Sequence, residues 1–125
     1  MQNLRVLVIE DDDDVADLLT LQLEFGLGAS VTRARDGDVG MALLQSDRFD
    51  VCILDVILPG ASGLTILERM QRHDLLTPVI VLTRLAQQCA TEATRLGADA
   101  VLPKPYVRSE LLTAVRRAAG VPAVV

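Results

Sequence analysis

Residues 51–55, VCILD, form an uninterrupted apolar run that ends in a carboxylate. Four adjacent apolar residues predict a strand buried on both faces, because a strand with one wet face would alternate apolar and polar side chains. Such a strand belongs in the centre of a parallel sheet, so neighbouring strands and covering helices are expected elsewhere in the chain. Asp55 then lies where a central strand ends.

The remainder of the chain supplies further apolar runs, which alternate with segments in which apolar residues recur at helical spacing. The predicted strands span residues 4–9, 29–34, 51–54, 79–82 and 100–102, and the second is the weakest. The predicted helical stripes, each expected to face the sheet, are Val15, Leu18, Leu19 and Leu23; Val39, Ala42 and Leu43; Leu64, Leu67 and Met70; and Leu111, Leu112, Val115 and Ala119. Residues 91–96 predict one more helix with little apolar surface. Five βα units of this kind form an α/β doubly wound sheet with helices on both faces.

Length and composition favour a single domain. With 125 residues, half of them hydrophobic, the chain can bury one core, predicted to span about residues 4–119 with a short tail at 120–125. No apolar run approaches the ~20 residues that cross a bilayer, and residues 1–5 lack the order of a signal peptide. We therefore expect a cytoplasmic protein without membrane contact. Cys52 and Cys89 have no metal-ligand spacing and are predicted to be free thiols.

Charge and aromatic content argue against direct nucleic-acid binding by this domain. The net charge is −5, and the chain has no stripe of clustered Lys and Arg that could release counterions from a phosphate backbone. One Tyr, two Phe and no Trp provide no set of platforms for stacking bases.

Acidic residues stand where two of the predicted strands end. The first strand is followed by EDDDD at residues 10–14, and the third by Asp55. Because the carboxyl ends of parallel strands meet at one edge of a sheet, Glu10, Asp11 and Asp55 are expected to lie close together. Crowded carboxylates repel each other unless a cation joins them, and oxygen ligands without His or thiolate suit Mg²⁺.

Other polar residues near the strand ends carry signals of different strength. Asp13 and Asp14 are typical first-turn acids of a helix, and Asp12 is typical of an N-cap. Thr83 is a β-branched residue that suits a strand end in any case. Lys104 is more informative, because it is the only lysine beside eleven arginines and the prolines on either side stiffen its loop. A compact ammonium, and not a guanidinium fork, is indicated there.

Five motifs in order, over essentially the whole chain, resemble the response-regulator receiver family of two-component signal transduction, the CheY-like family. They are VLVIEDD at 6–12, LDVILPG at 54–60 with GL at 63–64, PVIVLT at 78–83, LGAD at 96–99 and LPKPY at 102–106. The resemblance implies a flavodoxin-like (βα)5 fold with five parallel strands in the order 2-1-3-4-5. It also implies a signalling phosphoacceptor, and not an enzyme that turns over an external substrate.

The resemblance further implies that Asp55 accepts a phosphoryl group, with Mg²⁺, from a sensor histidine kinase or a phosphotransfer protein. Thr83 and Lys104 would contact phosphoryl oxygens. The implied magnesium ligands are Asp11 and Asp55 directly, Glu10 through water, and the backbone carbonyl of Ile57. General chemistry agrees, because phosphoryl transfer needs mainly positioning and charge neutralisation.

Receivers of this family are switched by phosphorylation, and the resemblance implies Thr83 and Tyr106 as the switch residues. The face formed by the fourth helix, the fifth strand and the last helix would then change and control an output domain or partner, for example in transcription. A half-buried aromatic that anchors a loop is the alternative for Tyr106. Asp99 and Arg116 resemble part of a charged set through which some receivers dimerise on this face, and this resemblance implies a phosphorylation-dependent homodimer. The chain is expected to be either a stand-alone regulator or a domain cut from a longer one.

Arg84 departs from the family pattern, in which a small residue usually follows the Thr, and the segment 83–97 is one residue shorter than usual. We expect Arg84 either to narrow access to the site or contact the phosphoryl group, which would prolong the phosphorylated state, or simply to point to solvent.

Three functions of other kinds fit the sequence less well. A flavin- or nucleotide-binding protein would carry a donor-rich loop after the first strand, where this chain has five acids. A magnesium-dependent phosphatase would need a second acid two residues after Asp55, where Ile57 stands. A degenerate receiver that binds proteins independently of phosphorylation is disfavoured, because the acidic, Thr and Lys positions are all present.

Overall fold

The computed structural model describes residues 3–121, which form one five-stranded parallel sheet and five helices. In chain order the elements are β1 (Arg5–Ile9), α1 (Asp13–Leu27), β2 (Ser30–Ala34), α2 (Gly37–Ser46), β3 (Val51–Leu54), α3 (Gly63–Arg72), β4 (Val79–Thr83), α4 (Ala86–Arg95), β5 (Ala100–Pro103) and α5 (Arg108–Ala119). The strand order is β2-β1-β3-β4-β5, and every neighbouring pair is parallel. The predicted doubly wound α/β architecture and strand order are confirmed. Residues 122–125 of the predicted tail lie outside the described residues.

The central strand β3 is buried along its whole length, as its apolar run predicted. Its side chains alternate between two core clusters. Cys52 and Leu54 pack with α2, α3 and α4, whereas Val51 and Ile53 pack with α1 and α5. Because both faces are covered by helices, both sets of alternating side chains are apolar. Cys52 and Cys89 are free and buried, as predicted.

Helix α2 turns a different face to the sheet than the one predicted. Its buried residues are Gly37, Gly40, Met41 and Leu44. The predicted Val39 and Ala42 are exposed, and Leu43 is only partly buried. The cause is a close approach of backbone to side chain, since a Cβ added at Gly40 would lie only 2.8 Å from Cγ1 of Ile9. A glycine therefore decides which side of α2 meets the sheet, and apolar periodicity does not register it.

Helices α1 and α4 differ from prediction in smaller ways. In α1, Leu18 is 51% exposed and Ala16 is buried. Helix α4 begins at Ala86, well before the predicted residue 91, and buries only Cys89 and Ala93. The prediction that α4 has little apolar surface to bury is confirmed. Over residues 3–121, no helix combines the length and the apolar character needed to cross a membrane.

Candidate functional site at the carboxyl end of the sheet

Three carboxylates meet at the edge where the parallel strands end. Glu10 follows β1 and Asp55 follows β3, and the register of these strands pairs Ile9 with Leu54, so the two acids are neighbours across the sheet. The backbone amide of Asp55 donates to the carbonyl of Ile9 over 3.2 Å. One carboxylate oxygen from each of Glu10, Asp11 and Asp55 lies within 4.8 Å of the others. The structure thus brings together the three side chains that the sequence proposed as metal ligands.

Lys104 places its ammonium between two of these carboxylates. Strand β5 pairs Thr83 with Pro103, and the amide of Lys104 donates to the carbonyl of Thr83 over 3.1 Å. From this position Nζ of Lys104 donates to Oδ2 of Asp55 over 2.7 Å and also to Oε1 of Glu10. The ammonium is well shielded, since the Lys104 side chain is 14% exposed. A flexible stem that ends in a point charge can serve both acceptors.

Burial and pairing act against each other in this cluster. Burial raises the pKa of Glu10, which is 2% exposed, while the hydrogen bond and charge of Lys104 pull that pKa down without cancelling the effect of burial. For Lys104, burial lowers the pKa, but the hydrogen bonds and charges of Asp55 and Glu10 outweigh burial and leave the pKa raised. Lys104 therefore stays an ammonium at neutral pH, and the cluster holds its acids close at a cost in desolvation.

The donor set fits Mg²⁺. Glu10, Asp11 and Asp55 offer hard carboxylate oxygens, and beside Lys104 they keep two formal negative charges, which one divalent cation balances. Ile57 lines the same cleft, and its amide donates to Oδ1 of Asp55 over 3.1 Å. Glu10, Asp11, Asp55 and Ile57 would hold the ion. The ion would supply charge neutralisation for oxygen chemistry at Asp55.

The other acids of the first loop have partners of their own. Asp12 is the N-cap of α1, because its Oδ1 accepts from the amides of Asp14 and Val15 over 2.9 and 3.2 Å. Asp13 and Asp14 stand in the first turn of α1. Both sequence predictions, the N-cap and the first-turn acids, are confirmed. Among the described residues, the carboxylate of Asp11 has no ion-pair or hydrogen-bond partner, which leaves it for the cleft.

Sequence reasoning missed Arg33, which reaches from β2 to this loop. Its Nε donates to the carbonyl of Glu10 over 2.9 Å, and its Nη1 pairs with Oδ1 of Asp13 over 2.8 Å. Arg35 pairs with the same Asp13 oxygen over 3.0 Å. Together these arginines lower the pKa of Asp13, with the Arg33 hydrogen bond as the largest cause. An arginine within a weakly apolar strand and a second arginine just after it, next to a strand followed by five acids, were a signal that could have been used.

Gly63 fixes the segment that follows Asp55. It begins α3 behind the N-cap Ser62, whose Oγ accepts from the amide of Leu64 over 3.1 Å. The Gly63 amide donates to the carbonyl of Val56 over 3.0 Å, and an added Cβ would overlap the carbonyl oxygen of Asp55 and lie 2.8 Å from Cα of Val56. Only glycine allows this approach, so a steric requirement explains why the motif has glycine at position 63.

Thr83 ends β4 and is fully buried. Its hydroxyl oxygen accepts a hydrogen bond from the amide of Leu85 over 3.2 Å. Leu85 is the residue immediately before α4, and α4 has no side-chain N-cap bond of its own. The Thr83 hydroxyl is therefore tied to the turn that begins α4.

Tyr106 lies on the other side of the sheet from α4. Its ring packs against the cluster that α1 and α5 share, and its hydroxyl is hydrogen-bonded to Oε1 of Gln22 in α1. Burial raises the pKa of the Tyr106 hydroxyl, and the charge of Lys104 opposes this effect. The half-buried ring anchors the loop after β5 to α1, which agrees with the alternative weighed for this residue.

The acidic cluster opens into a cleft of about 360 Å³. The residues that line it are Glu10, Asp11, Asp12, Val15, Asp55, Ile57, Arg84, Lys104 and Pro105. Arg84 is exposed and, with Lys104, is one of two cations in this lining. A wider groove of about 550 Å³ runs elsewhere, along β5 and α5, and does not reach Asp55.

Comparison with known proteins places the chain in one family of relatives. The family model of the response regulator receiver domain matches residues 6–116. The transcriptional regulatory protein DltR of Streptococcus agalactiae is 37% identical over 114 residues, which cover 90% of this chain and 50% of DltR. The DNA-binding dual master transcriptional regulator RpaA of Synechocystis sp. is 37% identical over 115 residues, which cover 90% of this chain and 47% of RpaA. The chain spans about half the length of these curated relatives.

Among solved structures, the receiver domain of the Francisella response regulator 1452 has a TM-score of 0.89 and 29% identity, and the match covers 94% of this chain and 98% of that chain. The family match spans all five strands, and the acidic cluster lies at their carboxyl ends. The chain therefore belongs to the response regulator receiver domain family of two-component signalling proteins.

Proposed function

We propose that this receiver domain is a phosphoacceptor in which Asp55 takes a phosphoryl group, with Mg²⁺, from a sensor histidine kinase or a phosphotransfer protein. The observation that carries the proposal is the environment of the Asp55 carboxylate. It is 7% exposed, bonded to Lys104 and grouped with Glu10 and Asp11, yet it opens into a cleft. A carboxylate with a purely structural role needs no such access.

In the proposed transfer, a carboxylate oxygen of Asp55 attacks the phosphorus of the donor, and a P–O bond forms as the bond between phosphorus and the donor's imidazole nitrogen breaks. The electron pair of that bond stays with the nitrogen, which takes up a proton. Lys104 would then donate to a phosphoryl oxygen, since its ammonium is already adjacent to Asp55 and lysine has a flexible stem.

The magnesium ligands in this proposal are Asp11, Asp55 and the backbone carbonyl of Ile57, with Glu10 acting through water. Mg²⁺ keeps several waters and takes few carboxylates directly, which suits a site with one exposed and two buried acids.

We further propose that Thr83 transmits the effect of Asp55 phosphorylation to α4. A phosphoryl group adds negative charge and strong acceptor oxygens at Asp55, and the Thr83 hydroxyl is a donor that can turn toward them. That turn would break the bond from the Leu85 amide and loosen the start of α4. Since α4 buries only two side chains, little packing opposes its movement.

Tyr106 is the second proposed switch residue. If its ring turns inward on phosphorylation, the bond between its hydroxyl and Gln22 breaks, so the change would also reach α1. Tyr106 packs with α1 and α5, and Thr83 contacts the turn before α4. The two residues would therefore act on opposite faces of the sheet.

The output surface in this proposal is the face formed by α4, β5 and α5. Strand β5 is an edge of the sheet, and the groove along it is lined by both charged and apolar residues, including Asp99, Leu102 and Arg117. A phosphorylation-dependent homodimer through this face, with Asp99 and Arg116 in the contact, stays a prediction. So do control of transcription through an output domain, a cytoplasmic location, and the absence of membrane and nucleic-acid contact by this domain.

Arg84 is proposed to regulate the lifetime of the phosphorylated state. It is exposed in the wall of the cleft, where its guanidinium can approach the phosphoryl group or obstruct attacking water. We expect Arg84→Ala to lose its phosphoryl group faster than the wild type, measured by the decay of phosphorylated protein after removal of the donor. Equal decay rates would show that Arg84 only faces solvent.

The central proposal is tested by incubating the chain with Mg²⁺ and acetyl phosphate, or with beryllofluoride, and by intact-mass and NMR analysis. We expect one added phosphoryl group in the wild type and none in Asp55→Asn. Equal labelling of Asp55→Asn would refute Asp55 as the acceptor. An absence of any adduct in the wild type would favour the degenerate receiver, and steady release of phosphate from an unrelated phosphoester would favour a phosphatase.

A further inference from the structure

The loop that carries Asp11 is held from one side by a single guanidinium. Arg33 lies in the edge strand β2, opposite Val8 of β1. Its Nε bonds the carbonyl of Glu10 over 2.9 Å, and its Nη1 bonds the carboxylate of Asp13 over 2.8 Å. Arg33 thus contacts the chain on both sides of Asp11.

The Arg33 guanidinium and its bond to the Glu10 carbonyl are partly shielded from solvent, whereas the Asp13 carboxylate is 60% exposed. The Arg33 side chain is 20% exposed, and its Nη2 is buried with no hydrogen-bond partner among the described residues. Strand β2 also holds Glu10, the residue before Asp11, through its backbone, because the Glu10 amide donates to the carbonyl of Ala34 over 3.0 Å. Hydrogen bonds that involve a charged group are stronger than neutral ones, and two of them from one rigid fork fix orientation as well as distance.

Repulsion among the consecutive acids explains what the Arg33 contacts contribute. Five carboxylates in a row at residues 10–14 would spread the loop, and Asp13 could compete with Asp11 for a bound cation. Arg33 and Arg35 draw Asp13 toward β2, while Asp12 turns back to cap α1. Glu10, Asp11 and Asp12 all line the cleft, and of these Asp11 is the one whose carboxylate has no partner among the described residues.

We propose that Arg33 is a positioning residue for Mg²⁺ binding, which it promotes by fixing the backbone of Glu10 and the carboxylate of Asp13 around Asp11. This inference rests on the proposed magnesium site. If charge alone mattered, removing Arg33 would strengthen Mg²⁺ binding, because a positive side chain near the site repels a dication. Positioning predicts weaker binding. The sign of the effect of removing Arg33 therefore separates positioning from electrostatics.

Arg35 provides a matched control within the same strand-to-helix segment. It carries the same charge and pairs with the same oxygen of Asp13, but its side chain is 69% exposed and no bond from it to the Glu10 carbonyl is present among the described residues. Removing Arg35 deletes a similar charge and leaves the bond to the Glu10 carbonyl intact.

The test is a calorimetric Mg²⁺ titration of wild type, Arg33→Met, Arg33→Lys and Arg35→Met, with the shift of the Asp11 amide followed by NMR. We expect Arg33→Met to bind Mg²⁺ roughly tenfold more weakly, the range of supporting residues around metal ligands. Arg33→Lys should be weakened as well, because one ammonium cannot reproduce the two directions of the fork. Arg35→Met should bind as tightly as the wild type or more tightly.

Unchanged or tighter binding by Arg33→Met would overturn the inference, and so would wild-type binding by Arg33→Lys. If Arg33→Met does not fold, judged by its far-ultraviolet circular dichroism, the Arg33→Lys result alone decides. A wild type that binds no Mg²⁺ would instead refute the proposed metal site, which keeps that failure distinct from a failure of the Arg33 inference.

Discussion

Replacing Lys104 by Met removes the ammonium that joins Glu10 and Asp55 but keeps the apolar stem. Glu10 is 2% and Asp55 7% exposed, so two buried carboxylates would face each other without their cation. Removing one partner of a buried ion pair costs about 3–5 kcal/mol. Because this cluster opens into a cleft, we expect the lower end, about 3 kcal/mol without Mg²⁺. For a domain of this size such a loss lowers Tm by roughly 10 °C.

The Lys104→Met penalty should depend on pH in a defined direction. In the wild type, burial already raises the pKa of Glu10 despite Lys104, and without the ammonium this pKa rises further. An acid whose folded-state pKa is raised stabilises the fold below its unfolded pKa, and that stability is lost as pH rises through the folded pKa. The penalty should therefore be largest at neutral pH and shrink in mildly acidic buffer, where Glu10 takes up a proton.

Urea unfolding followed by circular dichroism measures the stability difference between Lys104→Met and the wild type. It is carried out at neutral and at mildly acidic pH, first with a chelator and then with Mg²⁺. Mg²⁺ should restore more stability to Lys104→Met than to the wild type, because the ion meets the carboxylates without a competing ammonium. Arg95→Met is the control, since it removes an exposed cation that pairs with Glu92 and should change stability little. A Lys104→Met protein as stable as the wild type at neutral pH without Mg²⁺, or a penalty that grows as pH falls, would refute the reasoning.

Three further predictions concern the neighbourhood of the site. Gly63→Ala should lower the free energy of unfolding in urea by about 1–3 kcal/mol and slow phosphorylation by acetyl phosphate, because the new Cβ overlaps the Asp55 carbonyl oxygen. Wild-type stability of this variant would contradict the steric account. Tyrosine fluorescence should change when beryllofluoride and Mg²⁺ are added, since Tyr106 is the only tyrosine and the chain has no tryptophan; unchanged emission would exclude Tyr106 as a switch residue. In the Cys52→Ala background, Cys89, which lies on the buried face of α4, should react faster with a thiol reagent after beryllofluoride treatment; an unchanged rate would argue against movement of α4.

Most of the sheet could be predicted from the sequence because its strands are local patterns. The runs at 4–9, 51–54 and 79–82 are apolar without interruption, and each forms a strand within one residue of the predicted bounds. The position of Asp55 at the end of the central strand follows from the same pattern, and parallel topology then brings Glu10 and Asp11 near it. The N-cap at Asp12 was also readable, since capping depends on residues within one turn.

Contacts between distant segments could not be read in this way. The face of α2 depends on Gly40 meeting Ile9, and apolar periodicity gives glycine no weight. The Glu10–Lys104 pair joins residues 94 positions apart, and the Tyr106–Gln22 bond joins residues 84 apart. Such contacts depend on how the strands are ordered and how far each side chain reaches after folding.

The sequence alone determined that this chain forms a parallel α/β sheet with an acidic edge and a candidate acceptor at Asp55, because runs and periods of a few residues decide secondary structure and the ends of strands. The partners taken by the acids of the first loop depend instead on the assembled fold. Arg33, Arg35 and Lys104 come from strands and loops far along the chain, and their choice of acid depends on distances that exist only once the sheet has assembled.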